Sequence, residues 1–223
     1  MKVHAWVRFG KWRQIVEAPM PENPDLYCVS TSMHHYAKGV AHAALKAFDE
    51  AEEQKTHFYE SLKRITPDRR FFNNPALQTL GVGEKMLLGE LEYHRGNHES
   101  AFDHLREAVK RSDNLHYSEP WPWMHPPRHA LGALLMEQGQ HEEAERVYRE
   151  DLGLTNSVVR CAQHPNNVWA LHGLVECLTI RSEHGEKEEL AKFKTLLNSA
   201  IAKADVAVTS SCCCREKVRD LLG

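Results

Sequence analysis

A template of small residues recurs along this chain, and no other feature restricts its fold so strongly. With Gly132 in PRHALGALLMEQGQHEEAERVYRED as origin, Leu131 precedes it and Gly139, Ala144 and Tyr148 follow at +7, +12 and +16. With Gly89 in MLLGELEYHRGNHESAFDHLREAVK as origin, Leu88, Gly96, Ala101 and Leu105 take the same offsets, and Ala108 falls at +19. From Gly39 in HHYAKGVAHAALKAFDEAEEQ, Ala51 and Phe58 stand at +12 and +19, while Lys46 replaces the second glycine. A fourth copy places Gly173 of WALHGLVECL at the origin, with about five extra residues before its turn at Gly185. The first small residue lets one helix approach another closely, the second glycine supplies a positive-φ helix stop, and alanine at +12 suits a short-range crossing. Ala101, Leu105, Ala108 and Val109 recur at i, i+4, i+7 and i+8, the apolar face of a helix with 3.6-residue periodicity.

This Leu-Gly, Gly, Ala, aromatic, Ala pattern resembles the tetratricopeptide repeat, a helix-turn-helix unit of about 34 residues. The resemblance implies an all-α, right-handed α-solenoid of antiparallel helix hairpins, about four and a half repeats long. The origins lie 50, 43 and 41 residues apart, so the connectors TPDRRFFNNPALQTL, SDNLHYSEPWPWMHPPR and TNSVVRCAQHPNN are long for this period. Each ends in a proline near the next first helix, where a missing N–H costs no hydrogen bond. The stretch from Tyr36 to Ala204 is also similar to a bacterial and algal subgroup of tetratricopeptide proteins, through HYAKGVA, NNPA, EPWPWMHPPRHALGALL and HPNNVWALHGL.

The reading is one array over residues 1–223: a partial repeat at 1–25, repeats at 26–70, 76–112, 126–155 and 165–204, and a tail or cap at 205–223. Helices are expected at 2–9, 11–18, 27–46, 48–65, 76–95, 98–111, 126–138, 141–152, 166–183 and 186–204, with a short last one at 213–221. At the start, Gly10 followed by Trp12 and Ile15 reads as the turn and second helix of a repeat whose first helix is cut short. The expectation is the C-terminal part of a longer array, or a chain that self-associates through an apolar patch of Trp6, Phe9 and Trp12.

A hydrophobic fraction of 42%, a charged fraction of 26% and a net charge of −3 exclude a disordered chain and a cationic nucleic-acid binder. No stretch approaches the roughly 18 apolar residues of a membrane helix. The six cysteines do not have the spacing of a secreted disulfide framework, so a cytoplasmic home is expected. Fifteen histidines are the one unusual number, and many of them stand in the connectors.

Three constellations carry candidate function. The first is the concave stripe of the first helices, with Tyr36, Val40, Met86, Glu90, Tyr93, His129, Met136 and Cys177 as the groove for a protein or peptide ligand. Repeat proteins of this kind that clamp acidic chaperone C-termini use Lys, Asn and Arg there, and none occurs here. The second is a loop pocket of Glu119, Trp121, Trp123, His125, His164, Trp169 and His172, with imidazoles as metal ligands or acid-base groups and indoles as walls. Its plainer alternative has the tryptophans capping repeat cores. The third is Cys212, Cys213 and Cys214 beside Arg215, a soft-metal or redox candidate set against a simply packed cap. Adjacent residues on a helix point about 100° apart, which works against one tetrahedral ion. No P-loop, GxGxxG or GxSxG is present and no cofactor is implied, so a non-catalytic interaction scaffold leads and the loop pocket follows.

Overall fold

A computed structural model describes residues 2–181 and 187–215. Among them are ten α-helices: α1 Lys2–Arg8, α2 Trp12–Glu17, α3 Cys28–Ala44, α4 Phe48–Leu62, α5 Ala76–His94, α6 His98–Asp113, α7 Pro127–Glu137, α8 His141–Asp151, α9 Val168–Arg181 and α10 Lys187–Ile201. The fold is all-α, with successive helices paired into hairpins as the repeat template predicts. Two compact units divide it, Met1–Pro127 and Arg128–Gly223.

The template positions do what their residue types require. Ala51, Ala101 and Ala144 are fully buried at the three hairpin crossings. Gly96 and Gly139 end α5 and α7 with φ of +86° and +73°, and Lys46 takes the same left-handed turn at +61°. The turn geometry therefore persists where the glycine does not. A Cβ on Gly39 would stand 2.6 Å from Leu87 Cδ1, and one on Gly89 would stand 2.7 Å from Leu105 Cγ. These origins allow α3 to approach α5, and α5 to approach α6, at a range that a methyl group would prevent.

In the first unit α3 packs on both α4 and α5, and α5 packs on α6, around Tyr36, Phe58, Leu80, Leu87, Leu91 and Leu105. The helices α1 and α2 lie against α3, and Lys38 Nζ donates to the carbonyl of Val16 at the end of α2. The expected apolar patch is corrected here. Trp12 turns inward and is buried, Lys2 lies over the Trp6 ring, and only Phe9 is exposed.

The first connector contains a feature absent from the sequence reading, a two-residue hairpin of β1 Arg70–Phe71 and β2 Asn74–Pro75. Its register pairs Arg70 with Pro75 and Phe71 with Asn74. Asn74 is fully buried and acts as a strand edge: its Nδ2 donates to the His116 carbonyl at 3.0 Å, and its Oδ1 accepts from the His116 N–H at 2.7 Å. Asn73 Nδ2 donates to the Tyr117 carbonyl as well. The first connector thereby fixes where the second begins.

In the second unit α9 packs on both α8 and α10. The turn expected at Gly185 lies outside the described residues, as does most of the helix expected at 213–221; residues 213–215 are a turn and bend.

Candidate functional site: the faces of the first helices

Within each hairpin, α3, α5, α7 and α9 are first helices and α4, α6, α8 and α10 are second helices. The eight stripe residues are all buried, and their partners explain why. Tyr36 on α3 meets the Trp123 ring edge-on with centroids 5.0 Å apart, and His4 of α1 meets the same indole at 4.4 Å. The other side of that indole rests on α5, where a Cβ on Gly83 would stand 2.7 Å from Trp123 Cη2. The second connector therefore folds back and seats Trp123 on the first-helix face of its own unit. Met86 and Val40 are covered on the same two helices.

Two stripe assignments are corrected. Tyr93 turns toward α6, stacking on His98 at 4.8 Å and edge-on to Phe102 at 6.1 Å. His129 likewise turns toward its own second helix, where Nε2 donates to Asp151 Oδ2 at 2.9 Å. The stripe offsets ignore that side chains three residues before and four after a close-packed glycine can lean across the hairpin. Glu90 stays on the stripe, with His94 Nε2 at 3.5 Å from its carboxylate.

Asp151 organises the start of the third connector. It is fully buried at the end of α8, accepts from His129 and from His164 Nδ1 at 2.9 Å, and offers its carbonyl to the His164 N–H at 2.6 Å. Burial alone would raise its pKa, but His129, by charge and hydrogen bond, and then His164 outweigh that and hold the carboxyl well below the usual range. His164 is thus a clip holding the connector to the hairpin. Trp169 and His172 are carried by α9. Burial depresses His172, with Arg215 acting in the same direction.

In the second connector, Tyr117 donates its hydroxyl to Glu119, Trp121 is exposed, and His125 is buried beside Trp123 in the chain. Among the described residues, no three His, Cys, Asp or Glu side chains come together in a way that could hold a metal ion.

The second unit has a different covering. Tyr148 rises from α8 and passes between α7 and α9, where a Cβ on Gly132 would stand 2.5 Å, and one on Gly173 2.2 Å, from its Cζ. Two origins of the template thus serve one ring. Its hydroxyl meets Ser211 Oγ at 2.5 Å. Arg215 Nη1 donates to both carboxylate oxygens of Glu176 on α9, at 2.8 and 2.7 Å. Glu137 of α7 also lies close enough to favour the charged guanidinium. Ser210, Ser211, Cys212 and Cys214 are buried, so the cysteine triplet is part of a packed segment lying across α7 and α9. Met136 of α7 and Cys177 of α9 touch, with the sulfurs 3.2 Å apart. Burial pushes the Cys177 thiol up to about 12, which makes it an inert packing group. Beside it a cleft of about 540 Å³ opens among His141, Glu142, Glu145 and Arg181, where Glu145 is already paired with Arg149 and Arg181.

The sequence offered tryptophans capping repeat cores and a packed C-terminal cap as alternatives, but not which positions receive them. Gly83 and Ser211 carry the covering, and the available signal was slight: a glycine six residues before the origin Gly89, and a serine pair ahead of the cysteines.

Comparison with known proteins agrees with the hairpin geometry. Residues 128–166 match the family model described as the tetratricopeptide repeat, a stretch that covers α7, α8 and the connector clipped by His164. Searches among curated proteins and among solved structures give no match. Repeats of this family generally mediate protein–protein interactions. No helix among the described residues is long and apolar enough to cross a membrane. The chain thus carries the tetratricopeptide repeat, in the hairpin of residues 128–166.

Proposed function

We propose that this protein is a non-catalytic interaction module that receives a peptide or short helix on the first-helix faces of its hairpins. The observation that supports this reading best is Trp123. A residue from an irregular segment inserts between Tyr36 and Gly83, so this face can accept an aromatic side chain from a chain that is not itself part of the repeat. Glu90 in unit 1, and Glu137 and Glu176 in unit 2, supply negative charge on first helices, which favours basic over acidic ligand segments.

The test is a peptide array followed by hydrogen exchange of the protein with each peptide that binds. Protection is expected in α3 and α5 or in α7 and α9. Protection confined to the outer sides of α4, α6, α8 and α10 contradicts the proposal.

A further inference from the structure

We propose that residues 208–215 are a tethered occupant of the first-helix face of the second unit, and that the partner of this face is an extended segment of the same chemistry. That partner carries a small hydroxyl residue for Tyr148 and, four residues later, an arginine for Glu176. This rests on the interaction-module reading and adds to it a ligand class and a means of regulation.

Three observations converge. Residues 207–209 have no regular secondary structure and the backbone on either side of them bends and turns, unlike a helical cap. The segment is nevertheless buried at Val208, Ser210, Ser211, Cys212 and Cys214, which a frayed end would not be. Its two polar anchors are directional and lie on different helices. Tyr148, fixed between Gly132 and Gly173, directs its hydroxyl to the small side chain of Ser211. Glu176 takes Arg215 at 2.7 Å with Glu137 nearby, a pair of carboxylates suited to one guanidinium.

Seating by these contacts makes the tail a competitor for any external segment. A tethered ligand acts at an effective concentration in the millimolar range, so an outside peptide of equal intrinsic affinity is excluded until the tail is displaced. A partner with the same serine-to-arginine spacing and additional contacts would displace it.

The experiment uses the full chain under a reductant and a fluorescein-labelled peptide of residues 207–215, AVTSSCCCR, read by anisotropy. Arg215→Glu places a third carboxylate beside Glu176 and Glu137 and should release the tail. The variant is expected to bind the peptide at least about tenfold more tightly than the unaltered chain. Adding Glu176→Gln should remove that gain. Thiol labelling of Cys212 and Cys214 reports whether the tail has left. If Arg215→Glu disturbs the helical circular dichroism, Arg215→Gln replaces it, with the same ordering and a smaller gain. Equal affinity for the unaltered and released chains overturns the proposal, as does a tail whose thiols remain shielded without the arginine. In either case array peptides that protect α7 and α9 would leave the interaction-module reading standing; if no peptide protects any first helix, that reading falls as well.

Discussion

Single residues carry the close approaches of this fold, and three of them have effects that ordinary propensity does not anticipate. Gly173 lies inside α9, where alanine should be better by about 1 kcal/mol. Its Cβ would instead stand 2.2 Å from a Tyr148 ring with Gly132 behind it. Gly173→Ala is therefore expected to destabilise by about 1 to 3 kcal/mol in urea denaturation, the range for overpacking a tight site. Lys46 is the reverse case, an L-residue at φ +61° where the other copies have glycine. Lys46→Gly should stabilise by about 0.5 to 1 kcal/mol, and Lys46→Ala should not. His4 sets a pH dependence. Burial pulls its imidazole down to about 4 from the ordinary histidine value of 6.5. Between those values the unfolded chain binds a proton that the folded chain rejects. The contribution is complete above pH 6.5 and is lost as pH falls toward 4, roughly 3 kcal/mol at its limit. Burial also leads the depression of His35, His42, His104 and His172, so all five act with the same sign. Thermal melts from pH 7 to 4.5 should show this slope, and His4→Phe should flatten part of it. An unchanged slope would mean that His4 titrates normally. Much of the histidine excess is thus packing material, which one-dimensional reading cannot separate from ligands because burial is a property of the fold.

At the scale of elements, helix positions were legible and connector positions were not. A 3.6-residue period with a small-residue origin is a local signal, so the ten helices fall within a few residues of their expected ends. The irregular segments take their places from long-range contacts. Asn74 ties the β-hairpin to residue 116, and Trp123 crosses to Gly83 and Tyr36, separations over which sequence pattern carries nothing. Asn74→Ala removes two part-buried hydrogen bonds to the His116 backbone, at a cost of about 1 to 3 kcal/mol together. Trp123→Ala removes a fully packed indole from the first-helix face and should cost about 3 to 5 kcal/mol by urea denaturation. A loss below 1 kcal/mol would show that Trp123 does not occupy that face in solution. The stripe residues illustrate the same limit. Tyr93 and His129 have the right helical phase, yet each finds its strongest partner across its own hairpin.

Across the molecule, both units have irregular segments of the chain lying over their first-helix faces, Trp123 in one and residues 208–215 in the other. The repeat family was readable from four short motifs, whereas which residues cover the first helices required the folded geometry. The six cysteines provide a direct reporter of it, because none is in a disulfide: Cys161 is exposed, Cys213 is intermediate, and Cys28, Cys177, Cys212 and Cys214 are buried. Native-state thiol labelling, timed and read by peptide mass spectrometry, measures the opening of each site. The expected order is Cys161 first, Cys213 next, and Cys212 and Cys214 slower than Cys161 by at least about tenfold, corresponding to an opening free energy above about 1.4 kcal/mol. Labelling of Cys212 and Cys214 as fast as Cys161 in the unaltered chain would contradict a tail seated on α7 and α9.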